Sequence, residues 1–344
     1  MSAVRAFILL LFIVAGPALG SDTITPPSTV PHALDLLDVG APSFTNFSPR
    51  DGLPDTVLVA IQTDREGFVW AASPAGVFRY DGHHWMASDD PAMAHDVDSL
   101  WLDSHGTLWA AFRNRGLAHY DGAHWHIEDS SNGLPSQQIR RFAETVDDKG
   151  HSTLWAVTWD HGLMVRHDGR WRADPGNASL PPGAVLAMAQ TRQLGGHLRQ
   201  WVGTGSQGLW YRDEGTPGWK QWHAKGIDSA QVEYLLATVR NGREELWMSV
   251  FGVGLYRLSD EGLQVWSKLD GELPTDEIYD IAATPLPDGD RSIWVSSRSG
   301  LLRIHDDHVQ VFDRRDGLSS DAVRGLNAWR SPNGEDVIWL ATEA

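Results

Sequence analysis

The sequence predicts an all-β protein, a seven-bladed β-propeller built from four-stranded antiparallel blades, the last of them incomplete. Three observations support this fold class: an internal repeat of roughly 46 residues, short apolar segments separated by turns, and no sustained helical period. One tryptophan marks each repeat, and these are Trp70, Trp109, Trp155, Trp201, Trp247, Trp294 and Trp339. A glycine follows each of the first six, at Gly76, Gly116, Gly162, Gly208, Gly254 and Gly300.

Each repeat is predicted to contain four short strands. In the first repeat they cover residues 57–62, 68–72, 77–80 and 84–86, and the pair Asp81-Gly82 between the last two is a strong hairpin signal. The second repeat has the same order around Trp109, Gly116 and Asp121-Gly122. Four short strands per repeat of this length are typical of propeller blades, whereas a parallel β-helix would need a much shorter repeat.

The repeated tryptophans and glycines are expected to be structural. Glycine suits a tight turn that requires positive φ, and the flat indole can fill the wedge between neighbouring blades. We therefore interpret most of the 17 tryptophans as core residues and not as sugar platforms.

The N-terminus has the features of a secretory signal peptide. Arg5 precedes an apolar stretch at residues 6–15, and small residues lead to a predicted cleavage after Gly20. The apolar stretch is too short to span a bilayer, although an uncleaved anchor is the alternative. The predicted organisation is a signal peptide at 1–20, a flexible Pro/Ser/Thr-rich lead-in at 21–43 and the propeller at 44–344, in the periplasm or another extracytoplasmic compartment.

Six repeats are complete, and the seventh is partial. Residues 322–327 and 337–341 are predicted as its first two strands, and the chain stops before the expected Gly-Leu strand. An N-terminal segment, Phe44 to Ser48, is predicted as an outer strand that closes the ring, because closure leaves no open sheet edge. We expect the chain to be a fragment of a longer protein.

Composition excludes several classes of partner and cofactor. The net charge of −17 repels phosphate backbones, so nucleic acid is not an expected partner. The absence of cysteine removes disulfides and thiolate metal sites. No cofactor is predicted.

Several repeats carry one motif, Asp-Gly-Leu-Pro, an apolar strand, Asp-x-x-Gly-x-Leu-Trp, and then Gly-Leu-x-Arg/His-Tyr. It is found at 51–54, 64–70 and 76–80, its first part recurs at 132–135, and 270–274 carries an insertion. The motif resembles the two-component regulator propeller repeat, and the resemblance covers residues 44–344. It implies the extracytoplasmic ligand-sensing region of a hybrid histidine kinase or diguanylate cyclase receptor. In the full-length form such a receptor is membrane-anchored, with a downstream output domain and with self-association as an option.

Candidate ligand-binding residues lie in loops between the second and third strands. These loops share a face with the Asp-Gly-Leu-Pro loops around the axial opening, where side chains from several blades converge. An unidentified small molecule, a carbohydrate or an anionic compound, would suit such a mouth, and solvated turn residues are the alternative. The candidates are Arg113, Arg115, Trp159, His161, Gln207, Phe251 and Arg298.

No catalytic or metal site is predicted, and the chain itself is not expected to be an enzyme. A histidine group at 83, 84, 124 and 126 falls in repeated hairpins at the outer edge, without metal-ligand spacing. The nucleophile motif Gly-x-Ser-x-Gly is absent. A free-standing propeller enzyme of lyase or glycosidase type and a protein-interaction scaffold remain as alternative functions.

Overall fold

The computed structural model describes residues 43–135, 137–286, 291–331 and 336–343. The predicted signal peptide and all of the lead-in except Ser43 lie outside these ranges. Within them, no helix is long and apolar enough to cross a membrane.

The strands form antiparallel sheets in sequence order, each a simple meander. Blade 1 contains β1 (Ala60–Thr63), β2 (Val69–Ser73), β3 (Gly76–Tyr80) and β4 (Trp85–Ala87). Blade 2 contains β5 (Val97–Leu102), β6 (Leu108–Phe112), β7 (Leu117–Tyr120) and β8 (Trp125–Glu128). Blade 3 contains β9 (Ile139–Val146), β10 (Ser152–Thr158), β11 (Leu163–His167) and β12 (Arg170–Ala173). Blade 4 contains β13 (Val185–Arg192), β14 (Leu198–Thr204), β15 (Leu209–Asp213) and β16 (Lys220–Trp222).

The remaining sheets follow the same order. Blade 5 contains β17 (Val232–Arg240), β18 (Arg243–Val250), β19 (Gly254–Ser259) and β20 (Gly262–Trp266). Blade 6 contains β21 (Ile278–Pro285), β22 (Arg291–Ser297), β23 (Gly300–His305) and β24 (His308–Phe312), and a last sheet pairs β25 (Val323–Arg330) with β26 (Asp336–Thr342). Short 3-10 helices lie at Pro49–Asp51, Pro91–Met93, Ser130–Asn132, Pro175–Ser179 and Arg314–Asp316.

The prediction of four-stranded antiparallel propeller blades is confirmed, but the number of blades differs. The described residues form six four-stranded blades and not seven, because β25 and β26 have no third strand beside them. The segment from Phe44 to Ser48, predicted as a closing outer strand, has no strand pairing. Its aromatic rings pack instead on the sheets, with Phe44 centred 6.2 Å from Phe312 and Phe47 stacked 6.0 Å from Trp339.

The inner strands of successive sheets contact one another around the ring, and β25 contacts β1. Between each pair of neighbouring sheets lies one apolar cluster, and the described residues form seven such clusters. Each cluster contains, or packs against, the repeat tryptophan of one sheet. The core is therefore divided among the interfaces and does not occupy the axis of the ring.

Five of the seven repeat tryptophans, all but Trp247 and Trp339, also tie the second strand to the end of the inner strand. The indole N–H of Trp70 donates to Asp64 at 2.6 Å, and that of Trp155 donates to Thr145 at 2.9 Å. A buried indole N–H needs such a partner, so the Asp or Thr at this position is part of the blade design.

Replacement of Gly254 by alanine is expected to destabilise the protein more than the same change at Gly82. Both glycines have positive φ, 134° and 98°, which costs an L-residue about 1–2 kcal/mol. At Gly254 a Cβ would also overlap the carbonyl oxygen of Trp266, whereas at Gly82 it would meet open space. We expect the overlap to add about 1–3 kcal/mol. Urea denaturation of the two variants measures the difference, and equal midpoints would contradict this account.

Candidate functional site

A cavity of about 800 Å³ lies on the axis of the ring. Its wall is formed by the inner strands β1, β5, β9, β13, β17, β21 and β25, with additional residues from the loops at its ends. The wall is mixed: apolar residues such as Ile281 and Met188 alternate with charged and phenolic groups. A cavity of this size suits a small organic ligand.

A β-bulge recurs near the start of the inner strands β5, β9, β13, β17, β21 and β25. In β21, for example, Ile278 pairs with Ser297 and Asp280 with Ser296, so Tyr279 is the extra residue. The other five strands show the same shift one residue after a buried apolar residue. Because a bulge breaks the strict alternation of side chains, two consecutive residues can face the cavity. The bulged residues Asp98, Arg140 and Tyr279 all line the cavity.

Two adjacent arginines from β9 lie in the cavity wall, which also includes Arg291 and Arg324. The guanidinium carbon of Arg141 lies 3.6 Å from the ring centre of Tyr234. Arg140 lies 4.6 Å from the ring centre of Trp159, and its Nη2 is 3.8 Å from Glu233 Oε1. Burial, together with the neighbouring charge of Arg141, lowers the pKa of Arg140. The Nε atoms of both arginines are buried without a hydrogen-bond partner.

Two acidic groups near these arginines, the Asp280 carboxyl and the Tyr234 phenol, are largely surrounded by protein. Burial raises the pKa of the Asp280 carboxyl and outweighs the attraction of Arg141, although part of the side chain faces the cavity. The Asp280 oxygens accept backbone N–H bonds from Ile281 and Leu326 at 2.9 and 3.4 Å. Burial also raises the pKa of the Tyr234 phenol. Because protein surrounds these groups, the electrostatic interactions among them are screened less than interactions at the surface.

Of the seven loop residues predicted to bind a ligand, Trp159 lines the cavity itself. Arg113 lies at the mouth, where its Nη2 is 3.0 Å from Oδ1 of Asp98, a wall residue. Arg298 pairs with Glu277 at 3.3 Å, two residues before the wall residue Tyr279.

The other four predicted residues are exposed and do not line the cavity. Arg115 turns back to donate to the carbonyl of residue 92, and His161 Nδ1 lies 2.9 Å from the carboxylate of its neighbour Asp160. The carbonyl of Gln207 accepts from two side chains of its own blade. Phe251 is 58% exposed on the loop between β18 and β19. Of the seven candidates, Trp159 is a wall residue, Arg113 and Arg298 pair with acidic residues on or near the wall strands, and the other four lie apart from the cavity.

The histidines at the outer edge do not form a metal site in the described ranges, where no group of three or more potential ligands occurs. His126 stacks on His119 at 5.2 Å and lies 2.7 Å from Asp121.

Sequence reasoning missed the residues on the inner strands, above all Arg140, Arg141, Tyr234 and Asp280. A signal was present in the repeats. The two residues after the buried apolar residue are Arg140-Arg141 in blade 3 but Leu186-Ala187 in blade 4. Two adjacent charges at the start of a buried strand cannot both lie in the core, and they mark a bulge that faces water or a ligand.

The sequence matches no family model and no curated protein sequence. Solved structures do match. One is the extracellular domain of BT3049 from B. thetaiotaomicron, described as a hybrid two-component system, with TM-score 0.64, 16% identity, and coverage of 87% of this chain and 40% of that one. The extracellular domain of BT4673 from the same organism gives TM-score 0.62, 19% identity, and coverage of 83% and 37%.

These likenesses decide the architecture. The chain has the propeller fold. It spans about 40% of the length of the extracellular domains it resembles. The fold is shared with other functions: virginiamycin B lyase from Staphylococcus aureus gives TM-score 0.59 and 14% identity over 84% of this chain and 92% of that one.

Proposed function

We propose that residues 44–344 are the ligand-sensing propeller of an extracytoplasmic bacterial receptor, of the two-component or cyclic-di-GMP type. The observation that carries the proposal is the central cavity, in which bulged inner strands place charged and aromatic side chains from several blades. The repeat motif and the likeness to extracellular domains of two-component systems support the sensing role.

The proposal includes the finer features predicted from the sequence. The signal peptide is cleaved after Gly20, the propeller acts in the periplasm, and the full-length receptor is anchored in the membrane and self-associates.

The binding site is tested with a matched pair of aromatic variants. Trp159 and Phe251 follow equivalent strands, and the backbone N–H of each donates to a glutamine carbonyl, at 3.1 and 2.9 Å. Of these two residues, Trp159 lines the cavity and Phe251 does not. The intact chain is screened by thermal shift against sugars and organic acids. We expect a compound found in this way to bind about tenfold more weakly to Trp159→Ala and unchanged to Phe251→Ala.

Two outcomes would count against the proposal. Equal binding to both variants and the wild type would remove the cavity as the binding site. Conversion of the bound compound, followed by NMR over hours of incubation, would favour the lyase-type alternative, since a sensor releases its ligand unchanged.

A further inference from the structure

We propose that the cavity binds a ring-bearing monocarboxylate, whose carboxylate pairs with Arg141 beside Arg140. This inference rests on the proposed function of the cavity and specifies the chemistry of its ligand.

The first argument is the unsatisfied state of Arg141. Its Nε is buried without a hydrogen-bond partner, and it forms no ion pair with the residues that the structure describes. Its guanidinium carbon lies 3.6 Å from the centre of the Tyr234 ring, which is a cation–π contact. A half-buried guanidinium without a close ion pair is costly to a folded protein, so this arrangement is expected where a ligand supplies an anion.

The second argument is the charge of the residues around Arg140 and Arg141. Glu233 is 3.8 Å from Arg140, beyond close contact, and also accepts from Gln231 at 2.6 Å. Asp280 also faces the cavity and attracts Arg141, although burial, the larger effect, raises the pKa of its carboxyl. Arg291 and Arg324 also line the cavity, against the carboxylates of Asp98, Glu144 and Asp280. Four arginines and three carboxylates thus make up the charged part of the wall, in a chain whose overall net charge is −17.

The third argument selects the class of anion. A guanidinium presents two parallel N–H donors that match the two oxygens of a carboxylate. A dianion such as phosphate would be repelled by Glu233 and by the carboxylates of the wall about twice as strongly as a monoanion. The rings of Trp159 and Tyr234 already lie against Arg140 and Arg141, and they offer flat walls for the body of the ligand. A monocarboxylate attached to a ring fits this combination.

The test compares carboxylates with neutral counterparts of the same shape. Benzoate is measured against benzamide, D-glucuronate against D-glucose, and inorganic phosphate alone, by calorimetry on the intact wild-type chain. We expect at least one carboxylate to bind at least tenfold more tightly than its neutral counterpart, and more tightly than phosphate. Equal binding within both pairs, tighter binding of phosphate, or no binding by either carboxylate would overturn the proposal.

Variants then locate the contact. Arg141→Gln is expected to weaken binding of the carboxylate at least tenfold, and Arg141→Lys to recover part of the loss because it keeps the charge but not the fork of donors. Arg243→Gln is the control: this exposed arginine pairs with Asp260 at 3.3 Å and does not line the cavity, so the affinity of this variant should stay within about twofold of wild type. Equal losses at 243 and 141 would replace the specific contact by general electrostatic attraction.

The proposed carboxylate contact can fail its test without failure of the proposed sensor function. A compound whose binding depends on Trp159 but not on Arg141 would leave the sensor function standing and remove the carboxylate contact. The comparison of benzoate with benzamide uses wild-type protein, so it decides the question even where an Arg141 variant fails to fold.

Discussion

Replacement of Trp109 by alanine is expected to lower the free energy of unfolding by about 3–5 kcal/mol. The side chain is 2% exposed and fills the interface between blades 2 and 3. Its ring meets Trp171 edge to face at 6.0 Å, and the guanidinium of Arg166 lies 5.0 Å from its centre. The indole N–H donates to Asp103 at 2.9 Å, so truncation removes packing and a buried hydrogen bond together.

The control is Trp159→Ala, the same change at a tryptophan that is 43% exposed. It should lower the unfolding free energy by less than about 1.5 kcal/mol, because little apolar surface leaves a buried site. Guanidinium denaturation followed by circular dichroism compares both with wild type. A loss below about 1 kcal/mol at Trp109 would contradict the view that the repeat tryptophans hold neighbouring blades together.

The blades could be predicted from the sequence because one physical demand recurs in each of them. A tryptophan such as Trp109 must fill a wedge between sheets, and a glycine such as Gly254 must pass close to a neighbouring carbonyl, so both residue types repeat at a fixed spacing. The segment at Phe44 was predicted as a strand because it precedes Asp51-Gly52-Leu53 as Val311-Phe312 precedes Asp316-Gly317-Leu318. It is not one in this structure because pairing requires a neighbouring strand edge, which a local pattern cannot reveal.

The candidate site was predicted only in part, and the reason is geometric. Loop position alone does not determine whether a side chain reaches the axis. Trp159 and Phe251 occupy equivalent positions, yet only the first of the two lines the cavity. The pair Arg140-Arg141 was overlooked because strict alternation in a strand would send one of the two side chains away from the cavity. The bulge opposite Val157 removes that alternation.

The second large effect is expected at Glu128, a carboxylate that is 2% exposed at the end of β8. It accepts from Arg166 at 2.9 Å and from the indole N–H of Trp171, both in blade 3, and lies 3.1 Å from His119 Nδ1. Glu128→Gln leaves Arg166 without its anion. We expect a loss of about 3 kcal/mol at pH 7, the low end for a buried pair, because Arg166 is still 29% exposed.

The loss should depend on pH in a defined direction. Burial alone would raise the pKa of Glu128, but the bonds from His119 and Arg166 outweigh it and lower the pKa below the ordinary 4.5. A carboxyl with a lowered folded-state pKa stabilises the fold above its unfolded pKa, and this contribution disappears as the pH falls through the folded-state value. The gap between wild type and Glu128→Gln should therefore be constant near pH 7 and shrink below about pH 4.5. Glu277→Gln is the matched control, since its pair with Arg298 is exposed and worth less than about 1 kcal/mol. Urea midpoints of the three proteins, measured at intervals of about one pH unit from pH 3 to pH 8, report the effect. A gap that widens in acid would contradict the assignment of Glu128 as the anion that joins blades 2 and 3.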